Sequence, residues 1–192
     1  MKTPRILAFS GSLRAASFNQ KLATLAAAAA RDAGADVTLI SLRDFRMPIF
    51  DEDLEAAEGM PDAAKQLKAL FASHDGLIIA SPEYNSTISA ALKNAIDWVS
   101  RATAPDEAPL SVLRGKTAVI LAASPGGYGG ARGLVQLRPF LENISISVLP
   151  GQVTVAKAHE AFTDDGQLID PALAAAVNAL GASLTERLTA PA

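Results

Sequence analysis

Short runs of apolar and β-branched residues alternate along the chain with longer segments of helical periodicity. Such short runs are typical of buried strands, and their repeated alternation with helices is typical of a parallel sheet covered on both faces. The strands predicted from this pattern cover residues 5–10, 36–41, 76–81, 117–123 and 144–149.

Segments with a period of about 3.6 residues fill the spaces between these runs. The predicted helices cover residues 19–33, 62–73, 88–101 and 131–141, and a last helix follows Pro171. The third is the clearest, because its apolar positions fall on one stripe: Ile88, Ala91, Leu92, Ala95, Ile96 and Val99. Two proline-containing segments, 42–59 and 102–115, are predicted to be long surface connections.

Five strands in this alternation favour a single α/β domain over residues 1–192. The predicted architecture is a flavodoxin-like three-layer α/β/α sandwich whose five-stranded parallel sheet has the order 2-1-3-4-5. Ligands of such sheets bind beyond the carboxyl ends of the strands, near the switch point between strands 1 and 3. The loops that follow strands 1, 3 and 4 are therefore the candidate site.

Charge and cysteine content narrow the choice of partners and compartments. Seventeen lysines and arginines against twenty acidic residues leave a formal net charge of −3, so no basic excess favours nucleic acid as a partner. The chain has no cysteine, which excludes disulfides and thiolate-ligated metals and fits a cytoplasmic protein. The longest apolar stretch, residues 22–30, is far shorter than the ~20 residues of a membrane helix, and we expect no membrane partner.

The loop after strand 1 runs directly into a helix and is rich in hydrogen-bond donors. Gly11 allows a tight turn, the helix N-terminus presents free N–H groups, and Arg14 adds a guanidinium that can bind two phosphate oxygens. The dinucleotide and P-loop motifs are absent, and a terminal monophosphate fits the pattern better than a pyrophosphate. The candidate ligands of this phosphate are Ser10, Ser12, Arg14, Ser17 and Asn19. Alternatively, Ser17 only caps the helix and Arg14 is a solvated charge.

The loop after strand 3 contains Pro82, Glu83, Tyr84 and Asn85. Proline stiffens the turn, tyrosine offers an aromatic face, and asparagine supplies both a donor and an acceptor. Such a loop can frame a planar heteroaromatic ring with polar edges. Equally, Ser86 or Thr87 caps the next helix and Tyr84 is only a surface anchor.

Four of the five residues at positions 126–130, in the loop after strand 4, are glycine. Glycines let a backbone approach a ligand closely or move over it, and Ser124 precedes them. We therefore expect Ser124, Gly126 and Gly127 to border the same site. A flexible connection without a ligand is the alternative.

Residues for acid–base, nucleophilic or metal chemistry do not converge on these loops. The sequence has no nucleophile elbow, its two histidines, His74 and His159, lie elsewhere, and no cluster has zinc spacing. The carboxylates within residues 51–58 fit a solvated, disordered face better than a metal site. We predict no metal and no catalytic side chain, and a site of this composition indicates that a cofactor performs the chemistry.

Three motifs in order give the sequence a specific resemblance. Residues 10–14 are Ser-Gly-Ser-Leu-Arg, residues 82–85 are Pro-Glu-Tyr-Asn, and residues 92–98 are Leu-Lys-Asn-Ala-Ile-Asp-Trp. Together they are similar to the NAD(P)H-dependent FMN reductase family, which includes bacterial quinone, azo-dye and chromate reductases. The similarity runs from strand 1 through the third helix and extends more loosely to about residue 150.

The resemblance implies an NAD(P)H-dependent oxidoreductase with bound FMN, a small-molecule acceptor such as a quinone, and a homodimer or homotetramer. It implies that residues 10–19 hold the phosphate and ribityl chain, that residues 82–85 contact the isoalloxazine, and that the Ser124 loop borders its other edge. Nicotinamide and acceptor would use the same flavin face in turn, in a ping-pong order. A flavodoxin-type electron carrier, or a regulatory module without nicotinamide reduction, shares the fold and is the alternative.

Overall fold

The sheet predicted from the apolar runs is present in the computed structural model, which describes residues 2–190. Its strands are β1 (Arg5–Ser10), β2 (Asp36–Ser41), β3 (Gly76–Ala80), β4 (Thr117–Ala123) and β5 (Ser147–Val155). All pair in parallel in the order β2-β1-β3-β4-β5, which confirms the predicted flavodoxin-like topology. The carboxyl ends of β1, β3 and β4 therefore lie side by side.

Helices connect the strands and cover both faces of the sheet. They are α1 (Phe18–Asp32), α2 (Glu52–Glu58), α3 (Asp62–Ser73), α4 (Ala90–Val99), α5 (Ala131–Asn143), α6 (Ala158–Ala161) and α7 (Pro171–Thr189). Helices α1 and α7 pack against one face, with Ile6 and Ala8 of β1, and α3, α4 and α5 pack against the other, with Leu7 and Phe9. Successive residues of β1 thus point into two cores, as expected for a strand buried on both sides.

Strand β5 differs from its predicted range of 144–149, because it begins three residues later and continues to Val155. A register shift in its pairing with β4 places Leu149, Pro150 and Gly151 in a bulge between paired residues. The strand lies at the edge of the sheet, where a proline without an N–H is tolerated. In a sequence, a Pro-Gly pair usually marks the end of a strand. Here the strand continues beyond the pair to Val155.

The segment 42–59, predicted to be a surface connection, contains two short ordered elements. A 3₁₀ turn covers Leu42–Asp44, and helix α2 begins after Asp51. The Asp51 carboxylate accepts the N–H groups of Asp53 and Leu54 at 2.8 and 3.4 Å. Negative side chains are favourable near a helix N-terminus, so the acidic first turn stabilises α2. The interpretation of these carboxylates as a disordered face was therefore wrong.

Features that suggest other chemistry lie apart from the three loops. His74 is buried just before the amino end of β3, away from the carboxyl ends of the strands. Its ring nitrogens lie 2.6 Å from the Leu70 carbonyl and 2.8 Å from Thr38 Oγ1. His159 lies on the surface beside Glu160, at 3.1 Å. Across residues 2–190, none of the helices combines the length and the apolar character that crossing a bilayer requires. Within that same range, no group of three or more His, Asp or Glu side chains is placed to hold a metal ion.

The second predicted connection, 102–115, is tied to α3 by an ion pair. Lys68 has a side chain only 8% exposed, and its Nζ lies 2.6 Å from Glu107 Oε1. Glu107 also accepts the Ser111 hydroxyl and the Thr103 N–H. The Lys68 ammonium, followed by these two donors, lowers the pKa of Glu107 from 4.5 to about 2. The connection is therefore held by charge-assisted hydrogen bonds.

We expect Glu107→Gln to reduce the free energy of unfolding by ~1–2 kcal/mol near neutral pH, because this partly exposed network is lost. A carboxylate with a lowered pKa stabilises the fold above its unfolded pKa and loses this effect as the pH falls. The difference between wild type and variant should therefore shrink from about pH 4.5 towards pH 2, which urea denaturation measures. A constant difference across that range would show that the Glu107 charge does not stabilise the fold.

Candidate functional site

The loop after β1 is shaped by hydrogen bonds to its own serines. The Gly11 N–H donates to the Ala80 carbonyl at 2.9 Å, which continues the sheet by one residue. Ser10 Oγ accepts the Ser12 N–H at 3.1 Å, and Ser12 Oγ accepts the Arg14 N–H at 3.2 Å. These two hydroxyl oxygens fix the turn, and each serine retains its O–H as a donor.

Helix α1 begins at the end of this loop, with Ser17 as its N-cap. Ser17 Oγ accepts the Gln20 N–H at 3.2 Å, so the capping role considered from the sequence is confirmed. The first N–H groups of a helix have no partner inside it, and they carry the positive end of the helix dipole. The exposed side chain of Arg14 lines the same cleft as Ser12 and Ser17. This arrangement is suited to an anion.

The loops after β1, β3 and β4 meet at one small cleft of about 50 Å³. Eight of the twelve predicted site residues line it: Ser12, Arg14, Ser17, Asn19, Pro82, Glu83, Tyr84 and Ser124. The other four lie in the same loops or at their edges without lining the cleft: Ser10, Asn85, Gly126 and Gly127. The three loops therefore come together at one edge of the sheet, as the strand order requires.

The buried side chain of Asn19 connects the first of these loops with the third. Its Nδ2 donates to the Ala123 carbonyl at 2.8 Å, and its Oδ1 accepts the Ala123 N–H at 2.9 Å. Both ends of the amide are thus bound to the last residue of β4. Asn19 sets the distance between α1 and the loop after β4, a role that the sequence did not indicate.

Residues 84–87 form a tight turn at the rim of the cleft. The backbone groups of Tyr84 and Thr87 exchange hydrogen bonds at 3.0 and 3.1 Å. The two residues between them have positive φ angles, 52° at Asn85 and 65° at Ser86, as a type I′ turn requires. Non-glycine residues in this region cost about 1–3 kcal/mol each, and such strain clusters at ligand-binding segments.

Helix α4 is capped by Ser89, which corrects the alternative that Ser86 or Thr87 caps it. Ser89 Oγ accepts the Leu92 N–H at 3.1 Å, and the Ser89 hydroxyl donates to the Gly11 carbonyl at 2.6 Å. A Cβ added at Gly11 would lie 3.0 Å from Leu92 Cβ. Helix α4 therefore packs directly against the first loop, and this close approach requires glycine.

Glu83 faces α5, with a side chain only 8% exposed. Its carboxylate accepts a hydrogen bond from the Gly133 N–H at 3.1 Å and lies 2.7 Å from Arg132 Nη2. The N-cap of α5 is Gly130, which has no side chain, so Glu83 supplies the missing acceptor from the neighbouring loop. The Arg132 guanidinium also lies 4.9 Å from the centroid of the Tyr128 ring. These contacts join the loops after β3 and β4.

The four glycines after β4 fall into two pairs with different roles. Gly129 and Gly130 are buried, with φ angles of 58° and 89°. A Cβ added at Gly130 would lie 2.6 Å from Ala122 Cβ, so this position is closed by packing. Gly126 and Gly127 are exposed, and a Cβ added at Gly127 would meet open space. Only the second pair, Gly126 and Gly127, which are the two glycines predicted to border the site, has backbone open to a ligand.

Two residues outside the predicted set hold these loops together, Ser89 and Arg132. Ser89 lies immediately before α4, the usual position of a cap, but the helix predicted over residues 88–101 included it, because Ile88 falls on the same apolar stripe. Arg132 lies in the first turn of α5, where the helix dipole disfavours a cation. Such a position indicates an acidic partner from another segment. Periodicity does not identify this partner, because Glu83 is 49 residues away.

The chemistry of the cleft fits the FMN that the sequence resemblance implies. The hydroxyl groups, the helix N–H groups and the Arg14 guanidinium are donors suited to a phosphate monoester. The Glu83 carboxylate in the lining is paired with Arg132 and adds little repulsion. The half-exposed Tyr84 ring and the open backbone at Gly127 border the outer side, where a planar ring with polar edges can lie.

Comparison with known proteins gives matches along most of the chain. Residues 4–160 match the family described as NADPH-dependent FMN reductase. An NAD(P)H-dependent FMN reductase of Pseudomonas aeruginosa is 36% identical over 167 residues, which cover 86% of this chain and 85% of that protein. A quinone reductase of Escherichia coli K12 is 35% identical over 145 residues, which cover 76% of this chain and 73% of that protein.

Solved structures resemble nearly the whole chain. The flavoenzyme FerB, an NAD(P)H:(acceptor) oxidoreductase from Paracoccus denitrificans, has a TM-score of 0.77 at 25% identity and covers 97% of both chains. A flavodoxin from the domain Archaea has a TM-score of 0.60 at 12% identity, covering 97% of this chain and 99% of the flavodoxin. The second likeness concerns the fold alone.

Proposed function

This chain belongs to the NADPH-dependent FMN reductase family, and we propose that its single domain binds FMN at the three-loop cleft and reduces quinone-type small molecules. The observation that carries the proposal is the meeting of a donor-lined helix N-terminus with an aromatic turn. The first suits a phosphate and the second suits a planar ring. When bound, FMN supplies the redox chemistry, since it accepts a hydride from NADH or NADPH and returns electrons to an acceptor.

The residues of the cleft have separate tasks in this proposal. Ser12, Arg14 and Ser17, with the N–H groups of α1, hold the phosphate and ribityl chain. Residues 82–85 support the ring, and the exposed residues 125–127 leave room for nicotinamide and acceptor to approach. No side chain needs to accept a proton. The chain contributes positioning and fixed donors, which are effective because they are ordered before the substrates arrive.

A ping-pong order follows from one open face that serves both substrates in turn. Relatives named quinone reductase and 2-hydroxy-1,4-benzoquinone reductase support an acceptor of the quinone class. A flavodoxin-type carrier is the second candidate, because an archaeal flavodoxin shares the fold. A carrier would deny nicotinamide access to the ring, so direct reduction by a nicotinamide nucleotide distinguishes the two functions.

We expect the purified protein to be yellow and to release FMN on denaturation. Without oxygen, NADH or NADPH should bleach the flavin absorbance at a rate that saturates with nucleotide, and steady-state quinone reduction should give parallel double-reciprocal lines. Protein that takes up no FMN would contradict the proposed site, and released FAD would contradict the monophosphate argument. Flavin that stays oxidised with both nucleotides would contradict the enzyme hypothesis and favour the electron carrier.

Arg14→Ala should weaken FMN binding about tenfold to hundredfold, or ~1.5–3 kcal/mol, the range for a hydrogen bond to a charged group. Arg14 is exposed, so the free energy of unfolding should change little. Arg114→Ala, which removes an exposed arginine near the opposite edge of the sheet, is the matched control. Fluorescence titration with FMN measures both dissociation constants. Equal values in the two variants would show that Arg14 is only a solvated charge.

We further propose that the protein is a cytoplasmic homodimer or homotetramer. Two large apolar side chains beside the cleft are exposed. Tyr128, just before α5, is 68% exposed, and Val135, within α5, is 64% exposed. Burial of such side chains between copies is favourable. The absence of cysteine supports a reducing compartment.

A further inference from the structure

A second cavity, of about 410 Å³, lies beside the first loop, next to α4. Residues 42–50, which we name the strap, form one wall, and we call the space below them the strap cavity. Its apolar lining includes Leu13, Phe45, Met47 and Ala91, and its two cationic residues are Arg43 and Arg46. The volume lies within the range of about 300–1,000 Å³ that is typical of small-molecule sites.

The strap is anchored to α4 by motif residues that the cofactor cleft does not use. Asn94 Nδ2 and Trp98 Nε1 both donate to the Pro48 carbonyl, at 2.9 and 2.8 Å. Asn94 Oδ1 accepts the Phe50 N–H at 2.8 Å, and the Phe50 ring packs edge-on against Trp98 with its centroid 5.0 Å away. Asn94 also lines the cavity. The cavity is therefore preformed, which lowers the ordering cost of binding a ligand.

The charges at the strap cavity favour an anion. Across residues 2–190, neither Arg43 nor Arg46 forms a salt bridge with a carboxylate. Asp44 lies between them in the sequence, but within the described chain it does not line the cavity. Guanidinium groups bind phosphate, sulfonate and carboxylate through paired hydrogen bonds, and the Phe45 side chain and apolar walls suit an aromatic ring.

We propose that the strap cavity binds a planar aromatic group that carries an anionic substituent. Two sources share this chemistry: the adenosine phosphate end of a nicotinamide nucleotide, and a free aromatic acid. The first source rests on the proposed function, and the second does not. Leu13 links the two sites, because it lines the strap cavity while its neighbours Ser12 and Arg14 line the cofactor cleft.

Calorimetric titration of the FMN-loaded protein tests this proposal with two anionic probes, anilinonaphthalene sulfonate and adenosine bisphosphate. We expect binding of at least one probe, weakened tenfold or more in the double variant Arg43→Gln/Arg46→Gln. Ala91→Leu, which fills the cavity with a larger side chain, should weaken binding to a similar extent. Arg114→Gln should bind the probe like the wild type, and uncharged adenosine should bind at least tenfold more weakly than its bisphosphate.

The outcomes separate the possible occupants. Binding of adenosine bisphosphate indicates that the cavity holds the adenosine phosphate end of a nicotinamide nucleotide. Binding of the sulfonate alone indicates that it holds a free aromatic acid. Binding of neither probe, or binding that the double variant retains, overturns the proposal. A changed sedimentation coefficient in Ala91→Leu with unaltered probe binding also overturns it, and assigns this face to a second copy of the chain. FMN retention and flavin bleaching, measured on the same samples, report separately on the proposed function.

Discussion

Glu83→Ala should weaken FMN binding at least tenfold and lower the free energy of unfolding by ~1–3 kcal/mol. The carboxylate accepts the Gly133 N–H at the start of α5 and pairs with Arg132. Its removal leaves a helix N–H without an acceptor and releases the loop that holds Tyr84 at the cleft. Arg132 is half-exposed and can turn to water, which keeps the loss below that of a fully buried ion pair. FMN titration and urea denaturation measure the two effects.

Further substitutions distinguish a positioning role of Glu83 from direct contact with the cofactor. If Glu83 acts through α5, Arg132→Ala should also weaken FMN binding, and the double variant should lose less than the sum of the single losses. Glu83→Gln keeps an acceptor for Gly133 and should recover part of the affinity. Glu142→Ala, which removes a half-exposed carboxylate near the other end of α5, is the control. Normal FMN affinity in Arg132→Ala, with weak affinity in Glu83→Ala, would indicate direct contact between the carboxylate and FMN.

The limits of most strands could be predicted, including those of the partly buried β2, whereas the limits of β5 and the presence of α2 could not. Strands β1, β2 and β4 begin and end as predicted, and β1 and β4 are nearly continuous apolar runs buried on both faces. Strand β5 lies at the edge, is partly exposed and is interrupted by Pro150, so hydrophobicity did not mark its ends. Helix α2 has no buried residue and therefore no apolar stripe to detect.

The position of the candidate site could be predicted, whereas the roles within it could not. Strand order alone places the loops after β1, β3 and β4 together. The contacts of Asn19 with Ala123 and of Glu83 with Gly133 join residues 104 and 50 positions apart. Such pairs depend on how loops meet in three dimensions, which periodicity does not encode. Asn19 and Glu83 were predicted to contact the cofactor, and in the structure their polar atoms bind protein partners.

Gly130→Ala should lower the free energy of unfolding by ~2–4 kcal/mol, although the change adds one methyl group. The φ angle of Gly130 is 89°, a conformation that alanine adopts only with strain. The added Cβ would lie 2.6 Å from Ala122 Cβ, in the fully buried core at the end of β4. Relief of this overlap requires α5 to move away from the sheet, together with the Glu83 contact that begins at Gly133.

Gly127→Ala is the matched control for this prediction, and it separates the packing glycines from the exposed ones. Gly127 lacks a positive φ and has open space around an added Cβ, so the free energy of unfolding should stay within ~0.5 kcal/mol of the wild type. If this segment borders the path of the nicotinamide, the new methyl group should raise KM for the nucleotide several-fold, a larger effect than any change in FMN affinity. Urea denaturation and steady-state kinetics of both variants measure these effects. Equal free energies of unfolding in Gly130→Ala and Gly127→Ala would contradict the division of the four glycines into a buried and an exposed pair. An unchanged KM in Gly127→Ala would place the nicotinamide away from this loop.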